Sequence, residues 1–179
     1  MPLLVTALGL SLLGSCGGLL VASSLLRKGK VSFADMANAA LAGGVSVGAT
    51  CNVISPMGAF AVGLAAGSLC VAGYTLIQPR LDKSLRIVDT CGVHNLHGMP
   101  GLLGGLTAAL VVPGVAKAQL LGIAFTVVLA FAAGTLSGYL VAAAGRKAAA
   151  YADDEFLAAA EDGDSQGSGA VGVALSLQA

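Results

Sequence analysis

The sequence predicts an all-α membrane protein, a polytopic helical bundle of about five transmembrane helices, on three observations. Hydrophobic residues make up 56% of the chain and charged residues only 10%, against roughly 25% charged in soluble domains. The apolar residues fall into runs close to the ~20 residues that cross a bilayer as a helix. The breaks between runs hold Pro, Gly and the basic residues, which bounds each run at both ends. With a formal net charge of zero and no basic face interleaved with aromatics, the composition gives no ground for nucleic-acid binding. The four cysteines, Cys16, Cys51, Cys70 and Cys91, lie far apart without a CxxC pair and read as small buried hydrophobes.

Leu3 to Leu26 runs without a charge until Arg27-Lys28-Gly29-Lys30, a span with a basic stop. A cleaved signal peptide would need a basic region before the apolar run, and none is present. The second span, 34–51, opens with Asp35 and Asn38, short polar side chains expected to cap its free amides. Asn52 to Pro56 breaks the run. The third span, 57–78, is bracketed by Pro56 and Pro79, read as a helix start and a helix stop. After the basic linker Pro79 to Arg86 comes a fourth span, 87–112, closed by Pro113-Gly114, and then a fifth, 118–145, closed by Arg146-Lys147.

On this count every Lys and Arg except Lys117 falls on one side, which by the positive-inside rule is cytoplasmic. The N-terminus is then outside and the C-terminus inside. Small residues recur four apart in each span: Gly14 and Gly18, Gly44 and Gly48, Gly63 and Gly67, Gly101 and Gly105, Gly134 and Gly138. Such pairs let helices approach closely, although 26 glycines make chance pairs common. The tail, 148–179, reads as cytoplasmic, acidic around Asp153-Asp154-Glu155 and flexible from Glu161 to Gly169.

The fourth span holds the stretch Asp89-Thr90-Cys91-Gly92-Val93-His94-Asn95-Leu96-His97-Gly98-Met99-Pro100-Gly101, which puts two imidazoles and a carboxylate into membrane-buried sequence. Ionisable groups there cost at least about 2.5 to 3.5 kcal/mol on insertion scales and usually face a bundle interior or a water-filled path. On a continuous helix Thr90, His94 and His97 share one face. Pro100 has no amide hydrogen and crowds the carbonyl of Leu96, so a kink is expected just beyond the imidazoles. Three readings compete: histidines packed with hydrogen-bonded neighbours, a metal or haem site at Cys91, His94 and His97, and a lumen that handles a small polar solute. The third is preferred, because an imidazole can accept from or donate to such a solute and exchange a proton near neutral pH. It calls for no cofactor and no enzymatic chemistry.

This stretch resembles the signature of Rh-type members of the ammonium transporter family, and Asn38-Ala39-Ala40-Leu41-Ala42-Gly43-Gly44-Val45 resembles that family's preceding segment. The resemblance runs from about Leu3 to near Leu157. It implies a multi-pass protein, expected in the plasma membrane, in which trimers of channels of eleven or twelve spans per chain pass ammonia, and in some members carbon dioxide. Ammonium would lose its proton before an apolar lumen lined by one histidine from each half. By the resemblance His94 takes the pore position, with Thr90 and His97 on the pathway and Asp89, Asn38, Pro100 and Gly98 as structural positions near it. This chain would correspond to the last five helices, with no counterpart of the first half and its histidine. A regulatory subunit that assembles with full-length protomers without conducting is the alternative.

Overall fold

A computed structural model describes residues 2–85, 89 and 92–145. The described residues fall into two units, 2–131 and 132–145. The second contributes, among the described residues, the last turns of a helix that stops at Ala143.

Among the described residues all regular structure is helical. Helix α1 is Pro2–Leu26, and α2 is Phe33–Val47. Helix α3 begins as Pro56–Ala72, passes through a π-helical turn, Gly73–Ile77, and continues as Gln78–Leu85. Helix α4 covers residues 93–111, a π-helical turn over His94–Gly98 followed by Met99–Val111. Helix α5 is Ala116–Ala143. By length and composition Leu3–Leu26, Pro56–Leu85 and Ala116–Ala143 are long and apolar enough to cross a membrane.

In the first unit α1 lies against α2 and α3, and α4 packs on α2 and α3. The α1–α3 seam uses two of the expected glycine pairs. Side chains at Gly14 and Gly18 would strike the backbone of Phe60 and Leu64, and side chains at Gly63 and Gly67 would strike that of Ser11 and Ser15. Around these contacts the core is small, with Ala39, Ala42, Ala66, Cys70 and Val71 fully buried. Ser68 Oγ donates across the seam to the carbonyl of Gly18 at 3.2 Å, and Ser15 Oγ of α1 donates to the carbonyl of Ala40 in α2. Interhelical bonds of this kind average about 0.6 kcal/mol in membranes, so close backbone packing carries more of the association. Next to the second and fourth pairs the approach is shifted by one residue, to Gly43 and Gly104, which meet the backbone of Ser11 and Ser46, whereas Cβ atoms at Gly134 and Gly138 would meet nothing within 4 Å among the described residues.

The structure changes three local expectations. Asp35 does not cap α2. It is fully buried in that helix's first turn, where Oδ2 accepts from Arg27 Nε at 2.7 Å and from Ser23 Oγ at 2.7 Å, and Oδ1 accepts from Arg27 Nη2 at 2.8 Å. The pair pins α2 to the end of α1, and the bond to Asp35 pushes the already high Arg27 pKa further up. Pro79 does not end α3. The helix runs on through it to Leu85, because the π turn just before widens the coil and moves carbonyls away from the proline ring. Finally, α4 begins at Val93 rather than at residue 87. Gly92 has φ +68°, outside the helical range, and Asp89 is not helical.

Candidate functional site

Helix α4 starts on a carboxylate. Asp89 Oδ1 accepts from the Val93 amide at 2.8 Å, and Oδ2 accepts from the His94 amide at 2.9 Å. Two of the amides that a helix start leaves free are thereby paired, and a negative charge sits at the positive end of the helix dipole. Gly92 makes the entry possible: its φ is unfavourable for a side chain, and a Cβ there would collide with the Tyr74 hydroxyl. The first helical bond then runs from the Leu96 amide to the Gly92 carbonyl at 2.8 Å.

The π turn covers both imidazoles. Its wide closure, Met99 N–H to the His94 carbonyl, precedes Pro100, which is fully buried in the first turn of the α-helical part. The irregularity expected from Pro100 is therefore present, but it lies over the histidines and not beyond them. Gly98 leaves room for the His94 ring, whose Nδ1 would stand 3.2 Å from a Cβ at that position.

His94 and His97 are both exposed and both line a groove of about 720 Å³ in the first unit. One wall is two rows of α4 residues four apart, His94, Gly98, Leu102 and His97, Gly101, Gly105. The other is α5 from Gln119 to Phe131, and Ala49 also lines the groove. Apart from the imidazoles, Gln119 and Thr126 are the polar side chains in an otherwise apolar or glycine lining. Such a surface offers a few fixed hydrogen-bonding groups to a small solute and little that would hold an ion.

The expected site residues separate into groups. His94, His97 and Gly98 come together on the groove, with Pro100 buried behind it and Asp89 holding the helix start. Asn38 lies elsewhere, in the middle of α2, where Nδ2 donates to the Ala34 carbonyl at 2.9 Å. Thr90 and Cys91 lie outside the described residues, as do Arg86 and the tail from residue 146. The metal alternative, which needs Cys91, falls partly there too. Among the described residues no group of three His, Cys, Asp or Glu is placed to hold a metal. Gln119 and Thr126 were not singled out in the sequence, since each is a lone polar residue in an apolar run. Gln78 and Asn95 were also passed over. Their side chains bond each other, Asn95 Nδ2 to Gln78 Oε1 at 2.5 Å, and Gln78 Nε2 reaches the Asp89 carbonyl at 3.1 Å.

Comparison with known proteins bears on the family and the fold. Residues 5–155 match the sequence profile of the Ammonium Transporter Family. The chain belongs to that family. Ammonium transporter Rh type B of Xenopus tropicalis is 52% identical over 91 residues, 50% of this chain and 20% of that protein. Its Oryctolagus cuniculus counterpart is 40% identical over 147 residues, 66% of this chain and 32% of that protein. Among solved structures, Nitrosomonas europaea Rh50, described with the mechanism of conduction by the Rhesus protein family of channels, superposes with a TM-score of 0.83 at 44% identity. That match covers 93% of this chain and 47% of the Rh50 chain. The helical bundle is thus the fold of part of an Rh-type channel, an integral membrane architecture, and this chain spans less than half the length of those relatives.

Proposed function

We propose that this chain supplies one wall of an ammonia-conducting lumen, with His94, Thr90 and His97 as its substrate-pathway residues. The observation that carries the reading is the pair of exposed imidazoles on a groove otherwise polar only at Gln119 and Thr126, borne by a helix that starts on Asp89. Moving ammonium itself through such a surface would incur a solvation penalty on the order of 20 kcal/mol in the idealised limit. The ion therefore gives up its proton to water at the entrance, ammonia crosses as a neutral solute, and an imidazole accepts from it or donates to it on the way. In a channel built from related repeats the path lies between the repeats, so the opposite wall is supplied by residues other than those described. Five membrane crossings, an outside N-terminus, a cytoplasmic tail, trimeric assembly and a plasma-membrane location complete the proposal. At 15 residues α2 is about 22 Å long, short of the ~30 Å hydrocarbon core, so its crossing needs the flanking polar residues at the interface.

The test is ammonia flux in liposomes. The chain alone is expected to move ammonia no faster than empty vesicles, and the chain co-assembled with the first half of an Rh-type protein is expected to conduct. A co-assembled, membrane-inserted complex with no flux above the empty control overturns the proposal. Scanning with glycosylation tags should find the loop between Asn52 and Pro56 outside, and purely cytoplasmic access to it would overturn the topology.

A further inference from the structure

We infer that Gln78 is the positioning residue for the histidine-bearing start of α4. The inference deepens the functional reading above and rests on it for its purpose, though not for its test. Gln78 is the first residue after the π turn of α3, and its side-chain amide spends one end on Asp89, ahead of α4, and the other on α4 itself. Nε2 donates to the carbonyl of Asp89 at 3.1 Å, and Oε1 accepts from Asn95 Nδ2 at 2.5 Å. Asp89 in turn holds the amides of Val93 and His94 through its carboxylate. His94 is therefore fixed from both sides, by residue 89 before it and by residue 95 after it, and both lead to one side chain on a neighbouring helix.

The cost of this arrangement argues that direction matters more than filling. Asn95 is fully buried, and its Oδ1 has no hydrogen-bond partner among the described residues. An unsatisfied buried acceptor is unfavourable, and a side chain needed only for its volume would be apolar. The surroundings are closed around the amide: a side chain at Gly73 would strike both Asn95 and Met99. With its oxygen side against Gly73 and its nitrogen on Gln78, the Asn95 amide sets the rotation of the π turn about its own axis. That rotation decides where His94 and His97 point, and polar groups on a narrow path act only when they are held near the productive geometry.

The experiment uses the full chain in lipid nanodiscs, with histidine-selective ¹⁵N spectra and native-state hydrogen exchange as readouts. The chain has two histidines, and a His97→Ala variant assigns their signals. In Gln78→Leu the His94 ring signals should shift or double, and the Val93 and His94 amides should exchange about tenfold faster while the α1–α3 seam keeps its protection. Gln78→Glu should match it at neutral pH and recover toward wild type in acid, where a protonated carboxyl regains a donor for the Asp89 carbonyl, with the wild type followed over the same pH range. If both variants leave the His94 signals and both amides unchanged, the inference fails. If exchange rises uniformly through α1 to α4, or acid gives Gln78→Glu no recovery relative to wild type, Gln78 is ordinary packing and the inference also fails. None of these readouts needs transport, so a wild-type assembly that carries no ammonia would refute the proposed function without touching this result.

Discussion

In α3 the π turn Gly73–Ile77 is followed by Gln78 and Pro79; in α4 the π turn His94–Gly98 is followed by Met99 and Pro100. The proline stands at the second position of the resumed α-helix in both. A proline inside a helix lacks one donor and crowds the carbonyl four residues back, and a wide turn just ahead relieves both problems. The two junctions touch each other, yet their surroundings differ. Pro79 is exposed, next to Arg80 and near Lys83, in the polar last part of α3; Pro100 is fully buried behind two exposed imidazoles. The same backbone device thus serves in one place to carry a helix onward and in the other to present side chains to a groove. What distinguishes them is the polar load at the second junction, and each prediction below removes one part of it.

The largest effect is expected from the imidazoles. In the co-assembled channel, His94→Ala and His97→Ala should each reduce ammonia flux by about two- to tenfold, the scale of losing a neutral polar contact worth about 0.5 to 1.5 kcal/mol. The resemblance gives the pore position to His94. The geometry does not rank the rings that way: both line the groove, and His97 heads the row that continues through Gly101 and Gly105. Flux at matched membrane abundance should therefore show His97→Ala no milder than His94→Ala. Unchanged flux in both variants would remove the difference between the two junctions.

Next comes the contact between the junctions. Gly73→Ala places a methyl where Asn95 and Met99 already sit, and overpacking of this kind costs about 1 to 3 kcal/mol. Gly98→Ala, at the second junction, meets only the His94 ring edge, which can turn away. Thermal unfolding in nanodiscs should rank Gly73→Ala as clearly the less stable of the two, while Gly98→Ala should affect flux more than its stability suggests. Equal melting temperatures would show that the junctions are not pressed together as described.

How much of this could be read from the sequence depends on how local the cause was. The charge-free run to Leu26 and the start at Pro56 follow from adjacent residues, and both ends lie where expected. Pro79 was read as a stop because nothing in Gly73-Tyr74-Thr75-Leu76-Ile77 announces a π turn. Asp35 was read as a cap because its real partners, Arg27 and Ser23, are eight and twelve residues away and meet it only when α1 and α2 pair. The histidines were legible because charge-bearing side chains in an apolar run are costly. Gln78, Asn95, Gln119 and Thr126 were not, since a single neutral polar residue in such a run is unremarkable until a partner is seen. Asn38 shows the opposite error: it belongs to a recognisable segment and yet bonds only its own helix in the described structure.

A smaller effect is expected at the helix start. Asp89→Ala removes acceptors from the Val93 and His94 amides, and loss of an N-terminal cap costs about 0.5 to 2 kcal/mol. Asp89→Asn retains one acceptor oxygen and loses the favourable charge, so it should fall between wild type and Asp89→Ala in unfolding experiments. A result in which Asp89→Asn matches Asp89→Ala would assign the stabilisation to charge alone.

The smallest change is Pro79→Ala, and it isolates the device from its load. With an amide restored at position 79 the helix can bond normally, and the π turn at Gly73–Ile77 loses one reason to exist. Pro79 is exposed, so no cavity results, and the loss of chain stiffness costs only about 0.4 to 1 kcal/mol. If proline alone held the wide turn open, the turn would relax, Gln78 would rotate by about one residue's worth of helix, and its bonds to Asp89 and Asn95 would break. If those two bonds hold the turn, Pro79→Ala would leave them intact and flux would stay near wild type. The second outcome is expected, because the side-chain amide is anchored at both ends, on Asp89 and on Asn95 of α4, while the proline ring only tolerates the widened coil. Hydrogen exchange at Val93 and His94 in Pro79→Ala decides between them: protection at the wild-type level places the control of α4 in the Gln78 contacts, and a loss equal to that of Gln78→Leu places it in the proline.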